Sequence, residues 1–279
     1  MACCSGRMRV RAVRLVASVA LLALVAGTAG GCMMASTTSG AASSTGALAS
    51  QPTAASEADW RRELEATSKA YRANPSDPEV AMRHARALRI IGQRTQAAAV
   101  LEQAALRNPK HRALLGAYGR ALADSGNYAQ ALEVLERAHS PDQPDWRILS
   151  AQGAVLDQLG RHEDARKHYE SALRLMPDEP TVLSNLGLSY ALSRDLAQAE
   201  ATLRRAAGAG SAGPKVRQNL ALVVGLQGRF EEAERIAQAD LPADEAAANV
   251  AYLRQMLAHP NNWKAIGGPA VLPGEAGRS

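Results

Sequence analysis

The chain has 279 residues, 32 of them basic and 27 acidic, with one Phe and only 4% aromatic residues. The positive excess precedes the first acidic residue, Glu57, and lies in four arginines: Arg7, Arg9, Arg11 and Arg14. The remaining 28 basic residues nearly balance the acidic ones, so the net charge of +5 gives no support for nucleic-acid binding. The 58 alanines argue against a β-sandwich or barrel and favour closely packed helices.

Residues 1–31 have the pattern of a bacterial lipoprotein signal peptide. The uncharged run LVASVALLALVAG follows the arginines and is shorter than the stretch of about 20 residues that spans a membrane. Residues 29–32, AGGC, resemble a lipobox, which implies cleavage before Cys32 and acylation of that cysteine. Met33 in place of Asp favours the outer membrane, by resemblance to sorting in enterobacteria. An uncleaved N-terminal anchor is the alternative.

Residues 32–56 comprise the lipidated cysteine and a segment of Ala, Ser, Thr and Gly without charge. This composition predicts a flexible tether between the membrane and a folded domain. Cleavage before Cys32 would leave no second cysteine, so no disulfide is expected.

A period of 34 residues begins after the tether. One row of small residues is Gly119, Gly153 and Gly187, and a second is Ala97, Ala131, Ala165, Ala199 and Ala233. The pattern resembles the tetratricopeptide repeat, a helix–turn–helix unit that stacks into a superhelical solenoid. The resemblance implies an all-α fold in which the two small-residue rows meet where the helices of a unit cross.

The period divides the chain into predicted segments. A degenerate first half-repeat occupies residues 57–77. Five repeats follow at residues 78–111, 112–145, 146–179, 180–213 and, in part, 214–240. Residues 241–266 are predicted to form a capping helix and tail, and residues 267–279 a disordered C-terminus.

In such a solenoid, the second, fifth, ninth and twelfth residues of each unit are expected to face a concave groove. The candidate partner-binding residues at these positions are Arg86, Arg89, Arg120, Arg147, Asp157, Ser184, Leu188, Lys215, Gln218 and Leu222. The N-terminal half of this set is basic and the C-terminal half more apolar. Some family members clamp a terminal carboxylate with Lys at the fifth position and Asn at the ninth, but this chain has neither. Solvated helix surface is the alternative role for the arginines.

Residues for catalysis are not apparent in the sequence. None of the six histidines forms an i,i+4 pair or an H-E-x-x-H motif, and surface positions are expected for them. The sequence has no Gly-rich phosphate loop and no G-x-S-x-G motif. We therefore expect a protein that is not an enzyme, has no cofactor or metal, and binds neither nucleic acid nor a small-molecule substrate.

The C-terminal third carries a more specific resemblance. Residues 218–240 (QNLALVVGLQGRFEEAERIAQAD), 241–257 (LPADEAAANVAYLRQML) and 261–266 (NNWKAI) are similar to the TadD-type lipoprotein of tight-adherence (Flp) pilus systems. The resemblance implies an outer-membrane, periplasm-facing scaffold that binds the secretin or other pilus assembly proteins. The alternatives are a pilotin-like or outer-membrane-protein assembly lipoprotein of another system, and a scaffold that regulates a cell-wall enzyme.

Overall fold

A computed structural model describes residues 54–258 of the chain. The regular structure in that range is entirely α-helical, as predicted. Its twelve helices are α1 (Ala54–Ala73), α2 (Pro78–Ile90), α3 (Arg94–Arg107), α4 (Arg112–Asp124), α5 (Tyr128–Glu136), α6 (Trp146–Gln158), α7 (His162–Leu175), α8 (Pro180–Leu192), α9 (Leu196–Gly208), α10 (Pro214–Leu226), α11 (Phe230–Ala237) and α12 (Ala243–Ala258).

Several predictions fall outside the described residues. These are the signal peptide, the lipidated Cys32, the C-terminal tail and the NNWKAI segment. The tether lies outside them too, except for its last three residues, which belong to α1.

Helices α2, α4, α6, α8 and α10 begin at the five residues predicted to open the repeats. Their starts are fixed by local chemistry. The carboxylate of Asp77 accepts hydrogen bonds from the backbone N–H groups of Glu79 and Val80, and Pro78 occupies the first turn, where its missing N–H costs nothing. The carboxylate of Asp145 caps α6 in the same way, by accepting from the N–H of Arg147 at 2.8 Å.

The turn between the two helices of each unit requires one left-handed residue. Glycine occupies this position in four units, with φ between 74° and 86° at Gly92, Gly126, Gly160 and Gly228. In the fourth unit the same position is Arg194, which adopts a φ of 65°. A residue with a Cβ is strained there, so the packing of α8 on α9 imposes the turn against the local preference.

The helices of a unit cross in close contact at the glycine row. A Cβ built on Gly119 would lie 2.5 Å from Cγ of Leu135, and one on Gly187 would lie 2.6 Å from Cγ of Leu203. At Gly153 the nearest atom is Cε1 of Tyr169, also at 2.6 Å. Each glycine therefore makes room for the large side chain 16 residues later.

The alanine row is buried at the same crossings. Its members are each 0–1% exposed: Ala97, Ala131, Ala165, Ala199 and Ala233. A Cβ on Gly119 or Gly187 would also come within 3.2–3.3 Å of the carbonyl oxygen of the alanine in its unit. The predicted contact between the two rows is therefore an approach of glycine to the backbone of the alanine.

Both ends of the described array are closed by a helix. At the N-terminal end α1 packs on α2, and at the C-terminal end α12 packs on α10 and α11. Leu253 of α12 fills the space beside Gly225, where a Cβ would lie only 2.4 Å from Cδ2 of that leucine.

Candidate partner-binding groove

The first helices of the units, α2, α4, α6, α8 and α10, contact one another along the array. Within residues 54–258, the second helices of consecutive units lie farther apart. The array therefore curves with its first helices on the inner side. The first helices therefore line the groove.

The N-terminal part of this inner surface is basic. Arg86 is exposed on α2, and Arg89 forms an ion pair with Asp124 of α4, with 2.5 Å between Nε and Oδ2. Arg147 is exposed on α6, and its guanidinium carbon lies 4.4 Å from the ring centroid of Trp146, a cation–π contact.

Arg120 lies between these cations and is half-buried. Burial lowers the pKa of Arg120, and the nearby positive charges of Arg89 and Arg147 lower it further, partly offset by Asp145 and Asp124. Its guanidinium folds back over Gly116, since a Cβ on that glycine would lie 3.6 Å from Nη1.

The middle of the inner surface is crossed by hydrogen bonds between units. The amide of Asn185 on α8 donates to Oγ of Ser150 on α6 at 3.3 Å, and Asn219 on α10 donates to Oγ of Ser184 on α8 at 2.9 Å. Ser184 is only 4% exposed. It was expected to face the groove and instead joins two units.

Asp157 also departs from its expected place. This predicted groove residue is 9% exposed and accepts hydrogen bonds from the hydroxyls of Tyr169 (2.9 Å) and Ser189 (2.8 Å). Its Oδ1 lies 2.9 Å from Nδ1 of His162. The carboxylate thus joins α6, α7 and α8 from inside, because a buried charge must be compensated by several donors. Burial and this carboxylate raise the pKa of the Tyr169 hydroxyl.

The candidate residues in the C-terminal part of the inner surface are apolar or neutral, with the exception of Lys215. Leu188 and Leu222 are half-buried at equivalent positions of α8 and α10, Gln218 is half-buried, and Lys215 is exposed. The structure thus provides cations on α2, α4 and α6, and mainly apolar side chains, together with Lys215, on α8 and α10. A binding role for these residues remains a prediction.

The prediction that the histidines lie at the surface is wrong for His84. Its side chain is 6% exposed, and its Nδ1 is hydrogen-bonded with Oγ1 of Thr67 at 3.2 Å. The ring stacks on Tyr71 of α1, with centroids 5.2 Å apart. Burial, together with Arg72, lowers the pKa of His84. The residue therefore fixes α1 to the array as a neutral ring.

Residues 54–258 contain no group of three or more His, Cys, Asp or Glu residues placed to hold a metal ion. No helix there combines the length and the apolar character needed to cross a bilayer.

Comparison with known proteins bears on the fold. Models of the tetratricopeptide repeat match residues 92–154, 150–214 and 216–239. No curated protein matches the chain in sequence.

Solved structures with the same fold share little sequence with this chain. PilW, a type IV pilus biogenesis factor, is 17% identical over 70% of this chain and 91% of its own, with a TM-score of 0.59. TTC0263, a thermophilic protein of Thermus thermophilus, is 22% identical over 64% of this chain and 100% of its own, with a TM-score of 0.57. A chain of the Cut9-Hcn1 hetero-tetramer of the APC/C is 14% identical over 77% of this chain and 45% of its own, with a TM-score of 0.56. The described array is therefore a tetratricopeptide-repeat solenoid.

Proposed function

We propose that this protein is a lipid-anchored scaffold that acts in assembly of the tight-adherence (Flp) pilus and binds protein partners such as the secretin. The observation that carries the proposal is the inner surface. Five consecutive first helices form one continuous face, with most of its candidate cations at one end and its apolar side chains at the other. Such a face suits an extended polypeptide, which can present both kinds of group along its length.

Two likenesses favour a pilus system. The C-terminal third resembles TadD-type lipoproteins, and PilW, a widely conserved type IV pilus biogenesis factor, shares the solenoid fold. The proposed anchor is Cys32, with residues 33–56 as tether, and the proposed location is the periplasmic side of the outer membrane. A Cys32→Ser variant should lose fractionation with the outer membrane. Retention of that variant in the membrane fraction would refute the lipid anchor.

The partner is tested by co-purification from cells. The tagged full chain should retain the Flp secretin after mild crosslinking, and deletion of its gene should abolish piliation. A Leu222→Gln variant places an amide among the apolar side chains of the groove and should reduce the recovered secretin. Leu106→Gln is the matched control, because Leu106 is 71% exposed on α3, a second helix. Normal piliation in the deletion strain would contradict the proposed function.

A further inference from the structure

The guanidinium of Arg120 has an unusual environment for a half-buried cation. Within residues 54–258 it makes no hydrogen bond and no ion pair, although a guanidinium carries five N–H donors. Arg120 is half-buried, and its N–H groups are open to solvent and therefore to a bound ligand. The fold holds the guanidinium on the inner surface, over Gly116.

The acids nearest to Arg120 are already engaged. Asp124 is paired with Arg89, and Asp145 accepts a hydrogen bond from the N–H of Arg147 as the cap of α6. Arg89 and Arg147 place two further positive charges near Arg120, and both act to lower its pKa. Arg89 is thus neutralised by Asp124, whereas the guanidinium of Arg120 is hydrogen-bonded to neither acid.

We propose that Arg120, with Arg89 and Arg147 around it, binds a carboxylate of an acidic segment in a partner polypeptide. The carboxylate comes either from an Asp or Glu side chain or from a chain terminus. A guanidinium matches a carboxylate with two parallel hydrogen bonds, and the surrounding cations strengthen the attraction. The inference rests on the proposed function only in taking the groove as the partner-binding surface.

The surroundings of Arg120 favour a polypeptide over an anionic membrane. The guanidinium lies on the inner side of a curved array, which an extended chain enters more readily than a lipid surface. This site differs from the family's Lys and Asn clamp, because Arg120 occupies the ninth position of its unit and Gly116 the fifth.

The test uses the full chain in detergent and fluorescein-labelled decapeptides, with binding followed by fluorescence anisotropy. The first peptide alternates Glu and Ala and is amidated at its C-terminus. A second has Gln for every Glu, and a third adds a free C-terminal carboxylate to the Gln peptide. Vesicles of phosphatidylglycerol are tested in parallel. Circular dichroism checks that each variant is folded.

We expect Arg120→Gln to weaken binding of a carboxylate peptide by about tenfold, the change for one charge-assisted hydrogen bond. Arg147→Gln, at an exposed position of the same cluster, should weaken it by about threefold. The control Arg107→Gln, exposed on α3, should leave binding unchanged. Binding of the Glu peptide identifies a side-chain carboxylate, and binding of the third peptide alone identifies a chain terminus.

Three results would overturn the inference. The first is equal affinity for the Glu and Gln amidated peptides together with no gain from the free terminus. The second is unchanged binding by Arg120→Gln, and the third is binding that depends on Arg120 only with vesicles. Normal piliation after gene deletion, combined with peptide binding that depends on Arg120, would reject the pilus function and leave this site standing.

Discussion

The crossing of α8 with α9 allows a substitution to be predicted from distances. In Gly187→Ala the new Cβ would lie 2.6 Å from Cγ of Leu203 and 3.2 Å from the carbonyl oxygen of Ala199. Carbon atoms pack at about 3.5–4.0 Å, so Leu203 must retreat by about 1 Å. Leu203 is 0% exposed, and overpacking of this kind costs about 1–3 kcal/mol. Replacing a helical Gly by Ala returns about 1 kcal/mol. The net expectation is a loss of about 1 kcal/mol, rising to about 3 kcal/mol for Gly187→Leu.

Urea unfolding of the full chain, followed by circular dichroism, measures this loss. The matched control is Gly208→Ala, because a Cβ at the end of α9 meets no atom within 4 Å. This control should be neutral or stabilising by up to about 0.5 kcal/mol. If Gly187→Ala is as stable as the unchanged protein while Gly208→Ala behaves as expected, the proposed close crossing is wrong.

Four further predictions concern other contacts, and urea unfolding tests each of them. Asp157→Ala should cost about 2–3 kcal/mol, because it leaves the buried Tyr169 hydroxyl without an acceptor. Adding Tyr169→Phe to this variant should recover part of the loss. Simple addition of the two effects would contradict the hydrogen bond between the two side chains. Glu200 is bonded to arginines that lower its pKa from 4.5 to about 2, so its contribution is full above pH 4.5 and lost as pH falls toward 2. Glu200→Gln should therefore cost about 2 kcal/mol at pH 7 and little at pH 2, whereas an equal cost at both would refute the ion-pair role. The pKa of His84 is lower in the folded protein than in the unfolded chain, so as pH falls His84 is protonated in the unfolded chain before it is protonated in the folded protein. The free energy of unfolding should therefore decrease as pH drops below 6.5. His84→Phe should lessen that decrease. Arg194→Gly should gain about 0.5–1 kcal/mol by relieving the left-handed turn, and a loss would show that the side-chain contacts of Arg194 outweigh the strain.

Much of the fold was predictable because its geometry demands particular residues at a fixed spacing. Close helix crossings require small side chains, and these recur every 34 residues at Gly119, Gly153 and Gly187. Four of the five first helices begin where proline or a capping carboxylate stands in the sequence, and α4 is capped by the ring of His111. The boundary at Ala54 was missed because alanine suits a helix as well as a tether.

The positions of three polar side chains were not predicted, because each depends on partners from other helices. Asp157 was assigned to the groove by its place in the repeat, but Tyr169 and Ser189 draw it inward. A sign of this was present in the sequence. Tyr169 stands in a row otherwise made of Leu101, Leu135 and Leu203, and Ser189 in a row of Ala87, Ala121, Val155 and Val223.

His84 could also have been placed from its row. The residues 34, 68, 102 and 136 positions later are Tyr118, Gln152, Leu186 and Leu220, and each is 7% exposed or less. A histidine in a buried row must be satisfied by a neighbouring polar group, which here is Thr67. Ser184 could not have been placed from its row, because its burial depends on a hydrogen bond from Asn219, which is 35 residues away in sequence.

The hydrogen bonds between first helices determine where the array can yield. Contacts between alanine-rich surfaces resist separation but change little in energy when the surfaces slide, whereas hydrogen bonds are directional. The Asn185–Ser150 and Asn219–Ser184 bonds thus lock α6, α8 and α10 against shear. Between α4 and α6 the equivalent contact is apolar, with Ile148 lying against Gly116. Arg89 of α2 also donates to Asp124 of α4. The curvature can therefore adjust most easily at the apolar contact between α4 and α6.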